Sequence, residues 1–189
     1  GILRHSKAAL LMQYTSFSKV EKPTYPICIL VPTIRKDDIR RAYVEPYGLD
    51  PDEVIVISLH YPEGKKKAPM AEMKRYITEE LMPTWADLAT EMVVVADPDY
   101  FKALTGATKA DVNLGYVLDS KFGSVKIVYA PNYRQIFYDP DRIRGKITQA
   151  IDAMKAYRAG SYEDPGASII HFAAYPQTPE EIEKWLLKL

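Results

Sequence analysis

The sequence predicts an α/β protein of three layers, α/β/α, around a central, mainly parallel sheet of four strands. Two observations lead there. Three apolar runs rich in β-branched residues, at 27–31, 54–57 and 92–96, have the composition of strands buried on both faces, and 125–129 reads as a fourth strand. Helical segments fall between them, and such alternation favours a parallel sheet sandwiched by helices. At 189 residues and 47% hydrophobic, the chain has material for one domain with a full core and not for two.

Taken in order, the chain opens on Gly1 where a methionine would start, which suggests a trimmed tag or an excised fragment. Ser6 can cap a short helix over Ala8, Leu10 and Leu11, and the same run also suits a strand. A polar linker follows at 15–26, so 1–26 is expected to be an N-terminal segment and linker. The run 27–31 is the first buried strand, stopped by Pro32. Residues 35–43 are charged, with Ile39 and Ala42 turned inward, and suit one or two helical turns. The proline- and glycine-bearing stretch 45–51 ends them. The second strand, 54–57, leads to Ser58, Leu59 and His60.

Met70, Met73, Ile77 and Leu81 repeat at helical spacing, with Tyr76 widening the stripe, and the methionines are expected to fill core. Pro83 is expected to interrupt that helix before Trp85 and Leu88 continue toward the third strand. After that strand, Asp97-Pro98 is an N-cap followed by N1, and Gly106 supplies the stop. Residues 115–118 and 125–129 form the arms of a hairpin turning at 120–123. Asp139-Pro140 opens a long helix whose apolar face is Ile143, Ile147, Ile151 and Met154, ending near Gly160. The α/β domain is therefore assigned to 27–160. A change of character at 161–176 gives way to a capping box, Thr178-Pro179-Glu180-Glu181, and a last helix that stops at the chain end without a cap.

Charge and cysteine usage bound the chemistry. Lys+Arg and Asp+Glu each number 25, so any polyanion contact must come from local clustering. The single cysteine, Cys28, leaves no room for an intramolecular disulfide or an all-cysteine metal site, and its apolar run makes it a buried, inert thiol. His5, His60 and His171 are too scattered to suggest a metal centre. No apolar run reaches the roughly 18 residues that span a bilayer, and no secretory pattern opens the chain, so the expected location is cytoplasmic. No G-x-G-x-x-G after a strand, P-loop or G-x-S-x-G elbow points to a small-molecule enzyme.

Function in such a sheet is sought beyond the carboxyl ends of the parallel strands. Lys65, Lys66 and Lys67 form the densest positive run and read either as a solvated loop or as a phosphate contact. Asp37 and Asp38 read either as caps that complement a helix dipole or as a general base.

From Glu45 to Met154 the order of signals resembles the uracil-DNA glycosylase superfamily, especially its bacterial and archaeal small-glycosylase branch. Tyr47-Gly48-Leu49 precedes the second strand as that family's turn does, and Lys102-Ala103-Leu104-Thr105-Gly106 is similar to its "A..lltG" helix. Residues 115–129 resemble the strand pair ahead of the family's His-Pro-Ser loop, and 142–154 its closing helix. The resemblance covers about the middle two-thirds of the chain.

The family's chemistry, base excision from a flipped nucleotide, is degraded here. Its glycine-proline type water-handling loop is replaced by Pro32-Thr33-Ile34-Arg35-Lys36-Asp37-Asp38, and its uracil-reading asparagine by Ser58. In the His-Pro-Ser loop, Ala130 stands for histidine, Pro131 remains and Asn132 stands for serine. The branch's four cluster-binding cysteines are missing.

A second resemblance lies in the tail. Ile170-His171-Phe172-Ala173-Ala174-Tyr175 and 178–186 look like the lead-in to the proofreading exonuclease of phage family A DNA polymerases, some of which carry a glycosylase-like domain just before it. Together the resemblances imply the N-terminal, glycosylase-like domain of a phage-type DNA polymerase in the host cytoplasm, with 161–189 as linker and start of the exonuclease-like domain. No metal, cofactor or base-excision activity is implied. Its partners would be single-stranded or template DNA, the rest of the polymerase chain and a replication protein. The polyanion surface is expected at Arg35, Lys36, Lys65, Lys66, Lys67 and Arg134. The alternative is an active uracil-DNA glycosylase with a rewired site built on Asp37 or Asp38, His60 and Asn132.

Overall fold

A computed structural model describes residues 12–166. The expectations for Ser6, His5, His171 and the capping box at 178–181 lie outside those residues. The described chain is mixed α/β, with one six-stranded sheet in the order β1-β3-β2-β4-β6-β5. The strands are β1 (Tyr14–Ser16), β2 (Ile27–Val31), β3 (Val54–Ser58), β4 (Met92–Val95), β5 (Leu118–Asp119) and β6 (Lys126–Tyr129). The runs at 54–57, 27–31, 92–96 and 125–129 become β3, β2, β4 and β6, which pair in parallel, with Ile29 opposite Val56 on one side and Val94 on the other.

The two edges correct the four-stranded expectation. Part of the stretch read as linker is β1, antiparallel to β3 with Tyr14 opposite Ile57. The first hairpin arm shrinks to β5, antiparallel to β6 with Leu118 opposite Ile127. Strands of three and two residues are too short to impose a period of two on the sequence. Short antiparallel edges also blunt the open hydrogen-bonding rows that a longer edge would expose.

Alternation along each strand divides the core. Cys28, Leu30, Val93, Val95, Ile127 and Tyr129 belong to one apolar cluster, and Ile27, Ile29, Val31, Val94, Val128 and Ala130 to another. The first is covered by α2 (Met70–Tyr76), α3 (Met82–Asp87) and α4 (Pro98–Thr105), through Met73, Ile77, Trp85, Phe101 and Leu104. The second is covered by α1 (Lys36–Ile39) with the π-helical turn Arg40–Val44, and by α5 (Pro140–Ala159), through Ile39, Tyr43, Ile143, Ile147 and Ile151. Met70 departs from the expected stripe, standing 46% exposed at the start of α2.

Helix boundaries follow the expected chemistry. The Asp97 carboxylate accepts from the Tyr100 N–H at 2.9 Å and Gly106 closes α4 at φ 79°. Gly160 ends α5 in the same left-handed conformation. The helical path continues through Pro83, although not as one regular α-helix. The π-helical turn Ile77–Leu81 comes just before it, and α3 restarts with Pro83 in its first turn. There the missing N–H costs no intrahelical bond, and the widened turn relieves the clash a proline makes with the preceding carbonyl.

Candidate functional site

The carboxyl ends of the four parallel strands lie along one edge of the sheet and feed the loops after Val31, Ser58, Val95 and Tyr129. Tyrosine hydroxyls tie three of those loops. The Tyr133 hydroxyl donates to the Thr33 carbonyl after β2 at 2.7 Å. After β3, Tyr76 donates to the Ser58 carbonyl at 2.7 Å and Tyr100 to the His60 carbonyl at 2.5 Å. Tyr43 donates to the Pro131 carbonyl after β6 at 2.6 Å. Loop carbonyls without a partner in the sheet are thus satisfied by side chains from α2, α4, the Arg40–Val44 turn and the β6 exit, which fixes the edge in one arrangement.

Burial raises the pKa of all four phenols above the ordinary tyrosine value. They therefore remain hydrogen-bond donors at neutral pH. The Tyr43 bond is wholly buried, so Tyr43→Phe, which leaves the Pro131 carbonyl without this donor, is expected to lower unfolding free energy by about 1–3 kcal/mol. A denaturant midpoint shifted at constant slope would register it.

The sequence-derived candidates separate onto this edge and away from it. Arg35, after β2, and Arg134, after β6, line one cleft of about 310 Å³ with Asp38, Tyr133, Phe137 and Tyr138. Neither arginine has a described carboxylate within ion-pair distance. Lys36 is exposed on the first turn of α1. Asp37 pairs with Arg40 and Asp38 with Arg41, each at 2.8 Å, so both aspartates are engaged within their own helical segment. The Asn132 side chain accepts from the Arg134 N–H at 2.9 Å and caps the short 3-10 turn Tyr133–Phe137.

His60 and Lys65 line a different and larger cleft, about 510 Å³, beyond β3. The His60 ring lies 3.7 Å from the Glu72 carboxylate and packs on Tyr76. Glu63, Glu72, Glu79 and Glu80 line the same space, so Lys65 sits among acids. Lys66 and Lys67 are exposed on the same loop. Asp38 and His60, which a rewired hydrolytic site would need together, line separate clefts.

Ser58, Ala130 and Cys28 are each accounted for within the fold. The Ser58 hydroxyl donates to the Leu59 carbonyl at 3.1 Å and so serves its own backbone. Ala130 is 0% exposed, and its N–H donates to the Val95 carbonyl at 3.0 Å. By strand alternation it belongs to the apolar cluster under α5, with Val128, Ile147 and Ile151. Cys28 is buried, and burial pushes its thiol up to about 12, which makes it unreactive.

No protein-family model and no curated protein matches this chain. Its function has to be argued from geometry. Among the described residues, no group of three or more His, Cys, Asp and Glu could hold a metal ion, and no helix is long and apolar enough to cross a membrane.

Two further features mark the edge, the first a cap that the sequence predicts and the second an exposure that it does not. Asp97 is partly buried where β4 ends, and desolvation raises its pKa, but its carboxylate is occupied in capping α4. Phe137 and Tyr138 stand exposed at the end of the turn that begins with Tyr133. An aspartate before a proline reads as a cap from spacing alone, whereas two adjacent aromatics give no spacing from which to read exposure.

Proposed function

We propose that this chain is a glycosylase-like domain that keeps the superfamily's architecture without its base excision, and that it holds DNA or docks a replication partner for a phage-type DNA polymerase. The architecture in that reading is three layers built on the four parallel strands β3, β2, β4 and β6, with β1 and β5 as additions at the edges.

The observation that carries the binding half is the meeting of Arg35 and Arg134 in one cleft where β2 and β6 end, where the acid that lines it, Asp38, is paired with Arg41 and neither arginine has a described carboxylate within ion-pair distance. A guanidinium with no carboxylate partner, beside exposed aromatic rings, suits a phosphodiester backbone. Support for the loss of excision comes from Ala130, whose side chain belongs to a closed apolar cluster and has no polar group to offer a departing base. Lys65 contributes less to this reading than the sequence suggested, because its cleft carries glutamates.

Binding of the purified chain to a labelled single strand, followed by fluorescence anisotropy across a salt series, tests the proposal. Affinity should fall with salt, and Arg35→Ala with Arg134→Ala should weaken binding and flatten the slope of log K against log salt by about 0.7 for each lost single-strand phosphate contact. No binding at low salt would reject the DNA role and leave partner docking. In parallel, uracil-containing strands should give no alkali-labile abasic sites above buffer. Abasic sites would instead favour the rewired glycosylase built on Asp37 or Asp38, His60 and Asn132.

A further inference from the structure

Most exposed large apolar side chains of the described chain stand singly: Val20, Met70, Val112 and Tyr157 lie far apart in sequence, as scattered surface residues usually do. Phe137 and Tyr138 differ. They are adjacent, 82% and 90% exposed, and neither side chain has a hydrogen bond or ring contact with another described residue. Two large rings kept in water at neighbouring positions lose the stabilisation that burial would give them, so their placement calls for a ligand.

The backbone beneath them is fixed. Tyr133 is buried and bonded to the Thr33 carbonyl, and Asn132 caps the turn through the Arg134 N–H. The Gln135 N–H donates back to the Asn132 carbonyl, the Tyr138 and Asp139 N–H groups donate to the Gln135 carbonyl, and Asp139 starts the bonding of α5. The rings therefore project from a turn anchored between β6 and α5, already ordered before any ligand arrives.

Cations border the rings in two clefts. Arg35 and Arg134 line the first. A second cleft of about 310 Å³ contains Arg41 and Arg144 beside Tyr133, Ile136 and Phe137, with Asp38, the ion-pair partner of Arg41, as its acid. It shares Arg41, Ala42, Ile136 and Arg144 with a third cleft, about 450 Å³, that is also lined by Asp152 and Lys155. Arg41 is engaged by Asp38, whereas Arg144, like Arg35 and Arg134, has no described carboxylate partner.

We infer that Phe137 and Tyr138 form a stacking platform for the unpaired bases of a single-stranded nucleic acid whose phosphates run along Arg134, Arg35 and Arg144. This inference rests on the DNA-binding reading above and narrows it to unpaired strands. A duplex offers this surface its phosphates alone, because its base faces are already stacked on one another. A single strand offers both charge and π-faces, and each base stacked on an aromatic ring adds to its affinity. DNA and RNA share that chemistry, so thymidine and uridine strands of equal length are the two arms that separate them.

Three labelled probes of roughly 12 nucleotides, within the span of known single-strand sites, carry the test: oligothymidylate, a strand of the same length with every base replaced by an abasic analogue, and a matched duplex. Wild-type protein should bind oligothymidylate at least about 10-fold more tightly than the abasic strand, as two stacked bases imply. Phe137→Ala with Tyr138→Ala should remove that preference while leaving abasic-strand affinity and its salt slope unchanged. The exposure of both residues makes this variant fold as the wild type does, which circular dichroism checks, and the wild-type comparison of strands does not need the variant at all.

Equal wild-type affinity for base-bearing and abasic strands, with normal salt dependence, would overturn the platform and leave the phosphate-binding reading intact. So would a double variant that keeps the preference, or a wild type that favours the duplex. No binding of any probe at low salt would overturn both.

Discussion

Ala130→His, which places there the histidine that the proposed glycosylase-like reading expects, should destabilise the fold by about 2–6 kcal/mol and give no excision of uracil. The reason lies in which face of β6 the residue occupies. Tyr129 belongs to the cluster under α4 and Ala130 to the one under α5, beside Val128, Ile147 and Ile151. A methyl group fits that space. An imidazole would overpack a closed cluster, at about 1–3 kcal/mol, and would bury a polar ring without a partner, at a further 1–3 kcal/mol. Its nitrogens would then sit in the core, not beside a substrate. The denaturant midpoint reports the first effect and the abasic-site assay the second. A variant as stable as wild type that also cleaves uracil strands would mean that position 130 opens onto the edge, and would turn the reading from an architecture remodelled around its core to an enzyme one residue short.

The same face-by-face logic separates what the sequence reveals from what it hides. Three of the four parallel strands were legible as continuous apolar runs, the one pattern that burial on both faces demands, and β6, which Lys126 opens, as the arm of a hairpin. The caps at Asp97 and Gly106 were legible because they are local. The strand at Tyr14–Ser16 was not, because three residues carry no periodicity and its partner Ile57 lies more than forty positions away. Pro83 misled because the rule that proline ends helices assumes an ordinary helix before it, and the π-helical turn at Ile77–Leu81 removes that assumption.

For the candidate site, local charge was visible and its surroundings were not. Lys65 belongs to the densest positive run, yet the cleft it faces also contains Glu72 and Glu79, contributed by a helix further along the chain. Arg35 and Arg134 could be placed after their strands, but that they share a cleft depends on the turn at Tyr133 folding back to the Thr33 carbonyl, one hundred positions away. Tyrosine as the fastening of this edge had no local signature at all. Each phenol bonds a carbonyl distant in sequence, and a phenol in a sequence says nothing of its acceptor.

That fastening has a measurable consequence at alkaline pH. The Tyr43, Tyr100 and Tyr129 side chains are buried, and desolvation raises all three phenols above the ordinary value of about 10, Tyr129 to about 12. The buried Cys28 thiol is likewise pushed up to about 12. Above pH 9 to 10 the unfolded chain releases these protons while the folded chain retains them. The unfolded state then binds fewer protons, the slope of unfolding free energy with pH is negative, and stability is intact below the unfolded values and lost as pH climbs toward the folded ones. Each phenol removes about 1.4 kcal/mol per pH unit above 10, and the thiol the same from about 9, so roughly 7 kcal/mol is gone by pH 11. A domain of ordinary stability, about 5–15 kcal/mol, has little left at that point. Far-ultraviolet circular dichroism and tyrosinate absorbance near 295 nm should therefore change together in one steep transition between about pH 10 and 12. Ionisation is cooperative because a phenolate has no proton to give the Pro131 or His60 carbonyl, so losing one fastening exposes the next phenol to solvent. Phenols that titrate one by one near pH 10 with the circular dichroism unchanged would show that the edge is open to water, and would remove the rigid frame on which the arginines and the exposed aromatic pair are held.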